Sequence, residues 1–390
     1  MIATLFSYPV FQESMHPAVG TLSIAALIFA ALAYYFGFRG REVVVGIDLG
    51  TSYSVIAVKT DGVNRVIPHH KTGRELVPSI VSFDKSGNPK VGDFADEENK
   101  IFHAKSYIGR VAKDVDSSES FSVVSDAAGF AAFLLTSGTI VTPIQIGQLV
   151  VRELVDSVKV STGFTVKSVV ICVPVSFRNL EREHTRKVFT GLGLSISRVI
   201  DEPVAAALAY DLHKITRDNR KVMVFDLGGG TLDITILWAA ATGSITVLGS
   251  AGDAKLGGQD FDRVMWSVLQ SQCKDVTIQE AEELKIKLTT ENPASMKTRA
   301  FGCSMTISND EYATASESLM QRIKSELDLS LENQMMAPDQ VDDVVLVGGS
   351  SRMPIIRSLL LEYYSGTKAI FRDSLNPDTV VALGAANVLD

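Results

Sequence analysis

A chain of 390 residues with 46% hydrophobic side chains can bury sizeable cores, so disorder is excluded and two lobes are expected rather than one. Its 37 basic and 45 acidic residues leave a net charge of -8, which excludes a broad nucleic-acid footprint because such surfaces need a dominant basic patch. Any anion site is therefore local.

Residues 1–17 form a tail. Ala18 to Gly37, "AVGTLSIAALIFAALAYYFG", carries no charge. At about 1.5 Å per helical residue, roughly 20 residues cross about 30 Å of hydrocarbon, so a transmembrane or signal-anchor helix is expected over residues 18–38, with a cleaved signal peptide as the alternative. Only Glu13 is charged before the span and Arg39 and Arg41 follow it, which by charge bias alone turns the rest of the chain toward the cytosol.

From residue 42 the pattern alternates. "EVVVGIDLG", "SYSVIAVKT", "SVVICVPV", "KVMVFDLGG", "DITILWAA" and "DDVVLVGG" are short β-branched runs bounded by glycine or acid, which predict strands. "QIGQLVVRELVDSVKVST", "LEREHTRKVFTGLG", "EPVAAALAYDLHK", "EAEELKIKLTT" and "SRMPIIRSLLLEYY" have helical spacing, so the class is α/β. The long polar region from Asp275 to Lys324 predicts a helical subdomain at the rim of the second half. Cys172, Cys273 and Cys303 lack CxxC spacing, so neither a zinc site nor a disulfide framework is expected, and Cys172 reads as a core thiol. The six histidines, the His69-His70 pair included, show no metal-helix spacing and read as ordinary.

One unit occurs twice. "VVGIDLGTSYSVIAVKTDG" from Val44 and "MVFDLGGGTLDITILWAATG" from Met223 share the order strand, Asp-Leu-Gly, small turn, strand, with Asp48 and Asp226 lying 226 − 48 = 178 positions apart. Two similar lobes facing one another follow. Each acid ends a strand beside a turn whose small residues let a phosphate approach the backbone, and backbone N–H groups suit an anion without many basic side chains. Carboxylates repel phosphates, so a cation has to stand between them. Magnesium fits, since it prefers oxygen ligands and bridges carboxylates to nucleotide phosphates. A third glycine turn, "VLVGGSSRMP" from Val345, again joins a strand to a helix and offers N–H groups to a phosphate or ribose.

"GIDLGTSYSVIAV", "AKSYIGR", "VPVSF", "VIDEPVAAALAYDL", "VFDLGGGTLDITIL", "KLGGQDFD", "VLVGGSSRMPIIR" and "NPDTVVALGAA" occur in the order in which similar motifs stand in the nucleotide-binding domain of the heat shock protein 70 family. The resemblance covers about Glu42 to Asp390. It implies an actin-like ATPase fold of two lobes around a nucleotide cleft, residues 42–222 and 223–390, with ATP or ADP and Mg2+ as cofactors. It implies that Asp48, Asp226 and Glu202 hold hydrated magnesium, that Lys105 steers the attacking water, and that Thr231 and Asp233 order that water and contact phosphate. Gly50, Thr51, Ser52, Tyr53, Gly228, Gly229, Gly230 and Gly257 would surround the phosphates. Glu282, Lys285, Thr289, Gly348, Gly349, Ser350, Arg352 and Asp378 would form the adenosine side.

Three positions depart from the family pattern: Ile286 stands where an arginine follows the helix lysine, Asp201 replaces the Asn of "NEP" and His103 replaces the acid before "AK"; the rim also looks short. Pro174 and Arg182 keep the spacing of the family's interdomain relay, or serve only helix-turn packing. The expected layout is an ATPase core that ends at Asp390 without a peptide-binding domain, resembling the microsome-associated member of the family. The expectation is a slow Mg-dependent chaperone-type ATPase at the endoplasmic reticulum membrane, its lumenal face favoured slightly over the cytosolic one, with co-chaperones or nucleotide-exchange factors as partners and no nucleic acid. The alternatives are a nucleotide-dependent binding module with negligible turnover and a small-molecule kinase of the actin-like superfamily.

Overall fold

The apolar strand runs assemble into two sheets of one design. The computed structural model describes Ile28 and residues 42–115, 121–215 and 218–388. The expected membrane helix lies outside the described residues, apart from Ile28; among the described residues no helix is long and apolar enough to cross a membrane.

The first sheet contains β1 (Glu42–Leu49), β2 (Tyr53–Thr60), β3 (Val63–Val66), β4 (Val77–Pro78), β5 (Thr165–Val173) and β6 (Ser195–Asp201). Its order is β6-β5-β1-β2-β3, with β4 paired to β2. The second contains β7 (Arg220–Leu227), β8 (Leu232–Ala239), β9 (Ile245–Asp253), β10 (Asp343–Val347) and β11 (Ile370–Arg372), in the order β9-β8-β7-β10-β11. In each sheet the strand ending in the acid pairs antiparallel with the next strand and parallel with a later one. The sequence repeat is therefore a repeat of topology.

The helices are α1 (Pro143–Thr162), α2 (Asn179–Thr190), α3 (Glu202–Ala209), α4 (Gly258–Leu269), α5 (Ile278–Lys287), α6 (Asn309–Ala315), α7 (Glu317–Glu332), α8 (Pro354–Tyr363) and α9 (Val380–Asn387). Local chemistry sets their ends. At α1, Thr142 and Gln145 form a reciprocal capping box and Gly163 closes the helix in the left-handed region at φ 72°.

Strand β5 is apolar at consecutive positions because helices cover both of its faces. Val169 and Ile171 point into a core with Ile146, Val150 and Leu154 of α1. Val170 and Cys172 point the other way, into a layer with Ala205 and Ala206 of α3 and Val380 and Val381 of α9. Strand β7 divides alike: Met223, Phe225 and Leu227 face an outer core, while Val222 and Val224 face the same central layer. Helices α3 and α9 thus form the floor between the sheets. Helix α9 comes from the second half of the chain yet also packs Ala382 and Ala386 against Val55 and Ala57 of β2.

Two expectations need correction. The polar rim is not purely helical, because Ala294–Lys297 and Ser304–Ile307 form a two-stranded hairpin beside α5. Cys273 and Cys303 form a disulfide, with Cα atoms 6.0 Å apart, where none was expected. Their separation of 30 residues has no spacing signature; the hairpin folding back onto the end of α4 brings them together. Cys172 is buried, as expected.

Candidate functional site

Strands β1 and β7 deliver Asp48 and Asp226 to the same place, and the N-terminus of α3 adds Glu202 while β8 adds Asp233. Lys105, in a short 3-10 turn over Ala104–Tyr107, reaches Glu202 with Nζ 2.5 Å from Oε1. Both side chains are largely buried, at 10% and 15% exposure. Thr231 Oγ1 donates to Asp233 Oδ2 at 3.3 Å.

The acids are drawn close around the Lys105 ammonium group. Burial pushes Asp48 up to about 7, against the pull of Lys105 and with help from Glu202 and Asp378. Burial, then Glu202, raises Asp233 to about 6. Asp226 lies well above the carboxylate range through burial and the repulsion of Glu202, Asp233 and Asp48. Burial pulls Lys105 down, but Glu202 and Asp48 outweigh it and hold the lysine above its ordinary value. An oxygen-only donor set with surplus negative charge is what a hydrated hard cation requires, so these residues fit magnesium. Glu202, Asp226, Asp233 and Pro174 also line a cavity of about 20 Å³, enough for about one water molecule.

The turns meet above these acids. An added Cβ at Gly229 would collide with Ser52 Oγ, so the glycine turns of the two halves approach each other directly. Gly348 has φ 79°, and a side chain there would strike Leu227 O and Asp226. Gly258 and Gln259 donate to the Gly228 and Gly229 carbonyls at 2.9 Å, which places Gly257 and the start of α4 against the "GGG" turn. Thr51, Ser52 and Tyr53 line a cleft of about 770 Å³ together with Gln259, Asp262, Ile278 and Glu282, a volume suited to a nucleotide-sized ligand.

The residues expected on the adenosine side surround the other side of that junction. Lys285 is buried and pairs with Asp262 at 2.6 Å. Gly349 N–H donates to Asp378, and Arg352 pairs with the same carboxylate at 2.6 Å. A Cβ on Gly258 would meet Ser350 Oγ, so Ser350 belongs to the cluster. Glu282 and Ile286 stand one turn apart on α5, and Ile286 is 56% exposed. Thr289 lies beyond the end of α5, its hydroxyl bonded to the Ile286 carbonyl at 2.7 Å, so the "EELKIKLT" run is not one continuous helix to Thr289.

Sequence reasoning missed two contacts. His103 Nε2 lies 2.8 Å from Gln259 Nε2, joining the halves across the cleft. His103 takes φ 56°, a left-handed conformation that His, like Asp and Asn, adopts more readily than most residues. The signal in the sequence is Gln259 within "GGQDFD". Asp201 also has a role: Arg182 donates to Asp201 Oδ1 at 2.6 Å and to the Phe177 carbonyl at 2.9 Å, so that arginine is held by a carboxylate.

Paired strand-turn-strand lobes around a cleft with buried acids define an actin-like ATPase fold. The Hsp70 protein family model matches residues 44–389, and the chain belongs to the Hsp70 family. It is 34% identical over 375 residues to the chaperone protein DnaK of Thermus thermophilus, covering 88% of this chain and 60% of that protein. It is 33% identical to the chaperone protein dnaK of Cyanidioschyzon merolae, over 88% of this chain and 61% of the relative, and 33% identical to DnaK of Deinococcus deserti, over 88% and 58%. The chain thus spans about three fifths of the length of these relatives.

The raised acids have a pH consequence. A carboxyl held above its ordinary value keeps a proton that the unfolded chain has released, so between about pH 4 and 7 the cation-free fold loses stability as pH rises. A cation reverses this by displacing the protons. Lowering pH from 8 to 6 is therefore expected to weaken Mg-ADP binding about tenfold or more, while ADP without metal binds no more weakly. Titration calorimetry at several pH values checks this; parallel pH profiles with and without Mg2+ would count against it.

Proposed function

We propose that this chain binds ATP with Mg2+ in the cleft and hydrolyses it slowly, as a chaperone-type ATPase. The observation that carries the reading is the partly buried cluster of Asp48, Glu202, Asp226 and Asp233 around Lys105, set beneath glycine turns from both halves. Magnesium, when bound, would neutralise phosphate charge and bridge the nucleotide to the protein. Asp48, Asp226 and Glu202 would hold it through its waters. Lys105 would orient the attacking water and offset charge on the γ-phosphoryl oxygens, while Asp233, oriented by Thr231, accepts the water's proton. Gly50, Thr51, Ser52, Tyr53, Gly228, Gly229, Gly230 and Gly257 would bring the backbone close to the phosphates. Glu282, Lys285, Thr289, Gly348, Gly349, Ser350, Arg352 and Asp378 would bind the adenosine side, and co-chaperones or exchange factors would act on the lobes. Single-turnover cleavage of ATP by the purified chain, dependent on Mg2+, tests the reading; tight nucleotide binding without cleavage would replace it by a nucleotide-dependent binding module, and stimulation by small sugars would favour a kinase.

The site of action we propose is the endoplasmic reticulum membrane, reached through residues 18–37, with the ATPase fold in the lumen. The Cys273–Cys303 disulfide supports the lumenal side, since such bonds persist in oxidising compartments. Protease protection in sealed microsomes tests this; digestion without detergent would put the fold in the cytosol.

Ile286 gives a further expected result. A planar cation over an aromatic face contributes about 0.5 to 2 kcal/mol. Ile286→Arg, from an exposed position one turn after Glu282, should tighten ATP and ADP by roughly two- to thirtyfold without altering the cleavage step. Competition of ATP against GTP on both variants checks it, and an unchanged adenine preference would remove α5 from the base pocket.

A further inference from the structure

The loop before β4 carries "PHHKTGREL", and it folds against the middle of α1. His69 Nε2 lies 3.1 Å from Glu153 Oε2, and ligand atoms of His69, His70 and Glu153 all lie within 4.8 Å of one another. We propose that these three side chains form a binding site for Zn2+ or a similar first-row divalent ion, separate from the acid cluster of the cleft.

The surrounding hydrogen bonds prepare the ligands. Ser157 Oγ gives its proton to the Glu153 carbonyl at 2.8 Å and receives the His70 backbone N–H at 3.2 Å. The 3.0 Å contact between His70 Nδ1 and Ser157 Oγ must then be donated by the ring. That fixes the tautomer, so His70 Nε2 keeps a free lone pair, the arrangement in which metal-binding histidines are held by a partner on the far nitrogen. His69 accepts the Thr72 N–H at Nδ1, which puts its proton on Nε2, toward Glu153. On metal binding at Nε2 that ring's one proton moves to Nδ1, so the Thr72 N–H bond is given up and Thr72 Oγ1, at 3.2 Å, accepts the proton instead. His69 is nearly buried, so its ring is presented rather than free to swing.

The donor set selects the ion class. Two imidazoles and one carboxylate suit zinc and its neighbours, whereas magnesium and calcium prefer oxygen alone. Lys71, half exposed with Nζ 3.3 Å from Glu153, is the competing cation that the metal displaces. The loop leads into β4, where Val77 and Pro78 pair with Ser54 and Tyr53, so an ion here would brace the strand beside the first phosphate turn.

The test uses the full chain without a histidine tag, stripped by chelator, with excess Mg2+ present to occupy the cleft. Zinc titrated against a chromophoric chelator should show one equivalent bound with a dissociation constant of about 1 μM or tighter, and cobalt should give the visible bands of a low-coordinate site. His70→Ala and Glu153→Gln should each weaken binding about tenfold or more. Lys71→Ala should tighten it, a response that a merely structural His-Glu contact would not give. Circular dichroism and thermal unfolding confirm that each variant is folded. Binding weaker than about 100 μM would overturn the proposal, as would affinities indifferent to both substitutions. Loss of the zinc equivalent in Asp226→Asn, with His70 and Glu153 intact, would assign the ion to the cleft and overturn it too.

Discussion

Lys105→Ala is expected to lower ATP cleavage by about a hundredfold or more while changing nucleotide affinity only a few-fold. Lys105 carries its ammonium group among the acids of the cleft, 2.5 Å from Glu202 and raised by Asp48 as well. Bound phosphates gather charge on the γ-phosphoryl oxygens as the bond breaks, and a fixed cation there stabilises that state more than the ground state. Alanine removes this difference but leaves the glycine turns that hold the nucleotide. The substitution also strips a cation from buried carboxylates, a change that can cost about 3 to 5 kcal/mol of stability. Lys105→Arg, which keeps the charge but moves it, separates the effects: it should retain the melting temperature and still lose most of the cleavage rate. Single-turnover cleavage at saturating Mg-ATP decides the matter, and a rate near that of the parent in Lys105→Ala would end the assignment.

The paired acids and glycine turns were legible because their pattern is local. An acid at a strand end, followed at once by glycine and small polar residues, is written in consecutive positions, and both copies, Asp48 with Gly50 and Asp226 with Gly228, face one another in the folded protein. Strand positions were legible for a similar reason: the continuous run around Ile171 needs two covered faces, which α1 on one side and α3 with α9 on the other provide. What escaped notice depends on distant pairs. Cys273 and Cys303 are 30 residues apart and meet only through the rim hairpin. His69 and Glu153 are 84 apart, and His103 and Gln259 are 156 apart. No periodicity relates such positions, so a histidine pair read as ordinary turned out to rest on a helical glutamate. Thr289 was overextended because apolar spacing continues through Leu288 although the helix ends at Lys287.

Asp226→Asn is expected to weaken Mg-ATP binding about tenfold or more while leaving metal-free nucleotide affinity nearly unchanged. Burial, with Glu202, Asp233 and Asp48 nearby, holds the Asp226 carboxyl well above its ordinary range. A carboxyl so held takes up a proton more readily than a free one in the cation-free protein, and asparagine, similar in shape and neutral, imitates the protonated form. The folded cation-free state should hardly notice the exchange, so the melting temperature without metal stays close to the parent's. Magnesium requires the ionised carboxylate, and only there does the substitution remove something. The pH dependence of Mg-nucleotide binding should flatten as well, because one of the protons that the cation displaces no longer exists. Calorimetry with ATP, in Mg2+ and in excess chelator, provides both affinities on one preparation. Equal losses with and without magnesium would mean that Asp226 contacts the nucleotide or shapes the "GGG" turn rather than holding the ion's waters, and a drop in the metal-free melting temperature would mean that its carboxylate is already ionised in the empty cleft.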